Sequence, residues 1–92
     1  MAYRFPGPIG INLVRYYPRK VEQDLHMLFL SEGFVHVRME LKSYDKPVWS
    51  CRTLLLRPGK QELILNLNFL PSGAYWIEWD KPDLPWIEFL KA

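Results

Sequence analysis

From Val35 to Leu41 the apolar residues Val35, Val37, Met39 and Leu41 alternate with His36, Arg38 and Glu40, and every apolar pattern longer than four residues repeats this period of two. Alternation puts one set of side chains on each face of an extended strand, whereas a helix needs a period near 3.6. The chain is therefore expected to be all-β, with little or no helix.

Turn residues cut the pattern into pieces. Pro71 fixes one backbone angle and Gly73 tolerates positive φ, so Leu70-Pro71-Ser72-Gly73 reads as a tight turn. Leu63, Leu65 and Leu67 share a face before it, and Tyr75, Ile77 and Trp79 share one after it, so these two strands are expected to pair. Upstream, Ile11 to Tyr17 is a strand stopped by Pro18, which lacks the N–H a ladder needs, and Arg19 and Lys20 read as a solvated link. Gln23 to Leu30 follows, with Leu25, Met27 and Phe29 on one face and His26, Leu28 and Leu30 on the other.

Ser31-Glu32-Gly33 allows two outcomes. Direct pairing would set Leu25 across from Met39, Met27 from Val37 and Phe29 from Val35, with Gly33 left-handed; alternatively the loop carries the chain to a second sheet. After a turn at residues 42–47, Val48 to Leu56 is expected to face inward through Trp49, Cys51, Thr53 and Leu55. Arg57-Pro58-Gly59-Lys60 is another turn, and Lys81 to Pro85 leads into a last strand, Trp86 to Leu90. About seven short strands separated by turns predict a β-sandwich or a small barrel over residues 11–92, and an antiparallel sandwich is the favoured reading. Residues 1–10, with Pro6, Gly7, Pro8 and Gly10, read as an extended arm whose apolar anchors are Tyr3, Phe5 and Ile9.

A chain of 92 residues forms one domain and buries only roughly 60–65% of its unfolded surface. Its single cysteine, Cys51, excludes an intrachain disulfide, which leaves association with a partner as the route to further burial. Net charge is +2, from 12 basic and 10 acidic residues that are interspersed along the chain. That is a solvated surface and not a nucleic-acid footprint. Residues 1–10 lack the apolar run of about 7–15 residues found in a signal peptide, and no window reaches the roughly 18 of a membrane span. The expected location is cytoplasmic for the chain as it stands, and extracellular or at the cell surface if it is a fragment of an exported protein.

Four places carry a family likeness. Tyr17-Pro18 is followed by Val21 and Asp24-Leu25; the run from Val35 reaches Lys46-Pro47-Val48; Leu70-Pro71-Ser72-Gly73-Ala74-Tyr75 forms the central turn; and Phe89-Leu90-Lys91 closes on lysine. Over about residues 17–91 the chain resembles the C-terminal sorting domain of type IX secretion cargo proteins. Arg19-Lys20 stand where that family has Asn-Pro, and Asp45 where it has glycine. The resemblance implies an immunoglobulin-like sandwich and export of a fused cargo.

Catalysis is not expected. Cys51, His26 and His36 are the candidate nucleophile and bases, but Cys51 shares a face with Trp49 and Leu55 and reads as a buried, inert thiol. Two histidines without a cysteine pair or a carboxylate at ligand spacing do not make a closed zinc site. Glu78 and Glu88 read as ordinary surface carboxylates, and no glycine-rich phosphate loop precedes a helix, so neither cofactor nor metal is expected.

The outward apolar residues are the informative ones. Trp76, Trp86, Ile64, Leu28 and Leu30 fall on the solvent parity, and together they suggest one contiguous patch. Pro71, Gly73 and Tyr75 are assigned structural roles at the turn. The expected function is a non-catalytic accessory subunit that docks on a larger protein assembly, free or membrane-associated, through this patch, the arm and an open edge strand. A type IX sorting domain is the alternative. A carbohydrate-binding sandwich using Trp76 or Trp86 as a stacking platform is the third reading.

Overall fold

The structure, a computed structural model, describes residues 10–45 and 49–92. The expected arm therefore lies outside the described residues except for Gly10, as does the turn segment 46–48. Eight strands are present among the described residues: β1 (Ile11–Tyr17), β2 (Lys20–Val21), β3 (Asp24–Ser31), β4 (Val35–Ser43), β5 (Ser50–Leu56), β6 (Gly59–Asn66), β7 (Gly73–Trp79) and β8 (Ile87–Lys91). No helix occurs among the described residues, as the alternation requires.

The strands form a three-stranded sheet, β1-β3-β6, and a five-stranded sheet, β2-β8-β7-β4-β5. The two pack face to face as a sandwich. Leu25, Met27 and Phe29 of β3 and Leu65 of β6 meet Val37, Met39 and Leu41 of β4, Tyr75 and Ile77 of β7, and Ile87 and Phe89 of β8 in one buried core. Phe29 meets Trp79 edge to face across the two layers, with ring centroids 5.5 Å apart at 88°. That is a favoured geometry for two ring quadrupoles.

The loop between β3 and β4 crosses between the sheets, so the direct pairing of these strands does not occur. Their apolar triplets bury more surface by facing each other than by lying side by side. Gly33 is accordingly not left-handed; the positive-φ glycines among the described residues are Gly59 and Gly73. The Ser31 hydroxyl secures the crossing by donating to the Gly33 carbonyl at 2.6 Å.

The expected pairing across the central turn is also corrected. β6 bonds to β3 and β7 bonds to β4 and β8, so the chain between Asn66 and Gly73 joins two layers and not two neighbours. Its hydrogen-bonded turn sits earlier than expected, where Leu70 N–H donates to the Leu67 carbonyl at 3.0 Å. Tyr75, buried beneath, donates its hydroxyl to the Pro71 carbonyl at 2.6 Å and ties the segment to β7.

Two further expectations are revised. Arg19 and Lys20 are exposed but are more than a solvated link: Lys20 with Val21 forms β2, which runs parallel to Leu90 and Lys91 of β8, so the sandwich is not wholly antiparallel. The Arg19 carbonyl accepts from Leu90 N–H and the Val21 carbonyl from Ala92 N–H, each at 2.8 Å. In β5 the inward parity belongs to Ser50, Arg52, Leu54 and Leu56, which pair with the inward residues of β4. Cys51, Thr53 and Leu55 are therefore exposed, and Cys51 is not a buried thiol. Trp49 packs on the core as expected but precedes the ladder, so its orientation does not extend to Cys51.

Gly73 adopts φ 152°, and a Cβ built there would come no nearer than 3.9 Å to the Tyr75 ring. The constraint is conformational and not steric. Gly73→Val is expected to lower stability by more than about 1 kcal/mol in urea unfolding; an unchanged midpoint would mean that the chain relaxes at no cost.

Candidate functional site

The outward residues that sit within ladders fall on two opposite faces, which corrects the expectation of one contiguous patch. Leu28 and Leu30 of β3 and Ile64 of β6 lie on the outer face of the three-stranded sheet. Trp76 of β7 lies on the outer face of the five-stranded sheet, and Trp86 immediately precedes β8, outside its ladder. A β-sandwich has two solvent faces, and strand parity alone does not say which one a residue joins.

On the smaller face the apolar residues are interleaved with charge. Leu28 sits opposite Glu62 and Leu30 opposite Lys60, while Ile64 neighbours His26. A bulge between Leu13 and Arg15 resets the parity of β1, so Arg15 and Tyr17 also face outward. Tyr17 stacks flat on His26, with centroids 4.8 Å apart, and its hydroxyl donates to Glu62 Oε2 at 2.6 Å. That bond raises the Tyr17 pKa and lowers that of Glu62. His26 Nδ1 lies 3.3 Å from the same oxygen but without hydrogen-bond alignment.

The larger face is built around Trp76. Its indole N–H donates to Glu78 Oε2 at 2.8 Å, and Lys42 Nζ donates to Glu78 Oε1 at 3.0 Å. Lys42 is also 3.4 Å from Glu40, and Arg38 lies 3.6 Å from Glu40 on its other side. The Trp76 hydrogen bond, followed by that from Lys42, holds the Glu78 carboxyl below its ordinary pKa, while the bond to Glu78 raises Lys42. The Tyr44 ring packs against Trp76 at 5.0 Å, so Trp76 is outward but half-buried and fixed in orientation. Trp86 is 60% exposed and makes no ring contact or side-chain hydrogen bond among the described residues. Its backbone neighbour is pinned, because Trp79 donates its indole N–H to the Pro85 carbonyl at 2.9 Å.

Beside Trp76 lies a cleft of about 410 Å³. Its floor is Ala74, which sits across from Leu90 on β8 and two residues from Trp76 on β7. Tyr44 closes one side, and Arg19 and Lys20 close the other. The small side chain of Ala74 among large neighbours makes the depression. On the far side of the Trp76–Tyr44 pair a second hollow, of about 430 Å³, is lined by Lys42, Ser43 and Glu78.

Sequence reasoning found Trp76 and Trp86 but missed Tyr44, Arg19, Lys20, Ala74 and Leu90. Leu90 was within reach, since it shares the outward parity of Trp86 and Glu88. Tyr44 lies beyond the end of β4, where parity gives no signal. No cluster of three or more histidine, cysteine or acidic residues able to hold a metal ion occurs among the described residues. No protein-family model and no curated protein matches this chain.

Proposed function

We propose that this chain is a non-catalytic protein-interaction module, an accessory subunit built on an immunoglobulin-like sandwich that docks through the outer face of its five-stranded sheet. The exposure of Trp86 carries the reading. A large aromatic left 60% exposed next to β8, a strand of the sheet that also carries the fixed Trp76–Tyr44 pair and its cleft, is costly to leave in water and suited to burial by a partner. β5, at the edge of this sheet, has no neighbouring strand on one side among the described residues, which suits it to strand addition. The immunoglobulin-like part is supported by the strand order and by the Tyr75 hydroxyl on the Pro71 carbonyl, which resembles the tyrosine corner of such sandwiches.

Trp86→Ser tests it. The change should leave the urea midpoint of the free domain where it is, since no core contact is lost. Proteins retained from cell extract by the native chain, identified by mass spectrometry and then prepared pure, should bind the variant about 2 kcal/mol or more weakly, as when a central aromatic anchor is truncated. Unchanged affinity, or a loss of folding stability of about 3–5 kcal/mol typical of a core aromatic, would sink the proposal.

A further inference from the structure

We propose that the cleft over Ala74 takes an acidic peptide segment with a large apolar side chain, which inserts between Tyr44, Trp76 and Leu90 while its carboxylates meet Arg19 and Lys20. This rests on the docking reading above and specifies its partner.

The floor and two walls are apolar or aromatic, which favours a hydrophobic side chain over a sugar ring needing several planar polar partners. The third wall is cationic. Lys20 has no carboxylate within ion-pair distance among the described residues, and neither does Arg19, whose guanidinium instead lies 5.9 Å from the centre of the Tyr16 ring. Both are exposed; Lys20 pairs with Leu90 in the β2–β8 ladder and the Arg19 carbonyl accepts from Leu90 N–H, so their positions relative to Leu90 are built into the backbone. Glu88 is the single acid on the lining, against two cations. The balance attracts negative charge, and the fixed Trp76 ring spares an incoming segment the cost of ordering it.

The test pans the immobilised full chain against a random dodecapeptide library. Selected peptides should be enriched in Asp and Glu flanking Phe, Leu or Trp, and their binding should weaken with added salt. Ala74→Phe fills the floor at an exposed strand position that tolerates an aromatic, and it should abolish binding. The double change Arg19→Glu and Lys20→Glu should weaken binding by about tenfold or more. Lys20→Glu alone keeps the test valid if losing Arg19 disturbs Tyr16, and an unchanged urea midpoint certifies each variant.

Enriched peptides without acidic residues, or binding indifferent to Ala74→Phe and Lys20→Glu, would overturn the assignment. So would capture of anionic oligosaccharides from a glycan array through these residues when no peptide is selected. If no peptide is selected but a Trp86-dependent partner is found, the cleft assignment fails and the docking reading stands; loss of both would remove both.

Discussion

Phe29→Ala is expected to cost the free domain about 3–5 kcal/mol, read from urea or thermal unfolding. Phe29 is fully buried on β3, and its edge-to-face contact with Trp79 is a direct side-chain bridge between the two sheets. Alanine would leave a cavity where the layers meet and would strip Trp79 of its ring partner. A domain this small has a total stability of only about 5–14 kcal/mol, so the variant should sit close to unfolding at physiological temperature. A loss under about 1 kcal/mol would mean that the sheets close over the gap, and the packing described between them would be wrong.

Tyr75→Ala should be about as damaging, again about 3–5 kcal/mol, for a reason that can be divided in two. The ring stacks on Phe89 at 5.8 Å and meets Trp49 edge-on at 5.9 Å, while the hydroxyl holds the Pro71 carbonyl. Tyr75→Phe keeps the ring and removes the hydroxyl, so it should cost only about 1 kcal/mol, the net worth of one hydrogen bond plus an unsatisfied carbonyl. If Phe and Ala cost the same, the hydroxyl and not the ring secures the crossing from β6 to β7. Burial also raises the Tyr75 pKa, so its hydroxyl stays protonated as a donor well into the alkaline range.

The inner faces were legible because they repeat. Leu25, Met27 and Phe29, then Val37, Met39 and Leu41, then Tyr75 and Ile77, alternate without interruption, and each lies in the core. What alternation cannot state is which sheet a strand joins. β3 with β4 and β6 with β7 have the same sequence appearance whether they pair or face each other, and here both pairs face each other. β5 failed for another reason. Trp49 lies outside its ladder, so counting by twos from that tryptophan put Cys51 and Leu55 on the wrong side.

The site was half legible. Trp76 and Trp86 stand out by size on an outward parity, but the cleft beside Trp76 is assembled from three strands and the segments next to them, which meet only in the folded sheet. β2 is two residues long and shows no pattern at all. Its one cation, Lys20, acquires meaning only from a neighbour seventy positions away, Leu90.

That distance also sets an order in time. Three of the six pairings among the described residues, β2 with β8, β3 with β6 and β4 with β7, join strands far apart along the chain, which places folding in the slower, millisecond-to-second range of β-proteins. During synthesis β3, β4 and β6 emerge with their apolar faces bare, and β2 lacks its ladder partner until β8 leaves the ribosome. Only the arrival of β8 closes the larger sheet. A chain in which β8 is missing or unformed therefore has Trp76 and Tyr44 but no Leu90 wall and no fixed cations, and recognition at the cleft waits on β8 being in place.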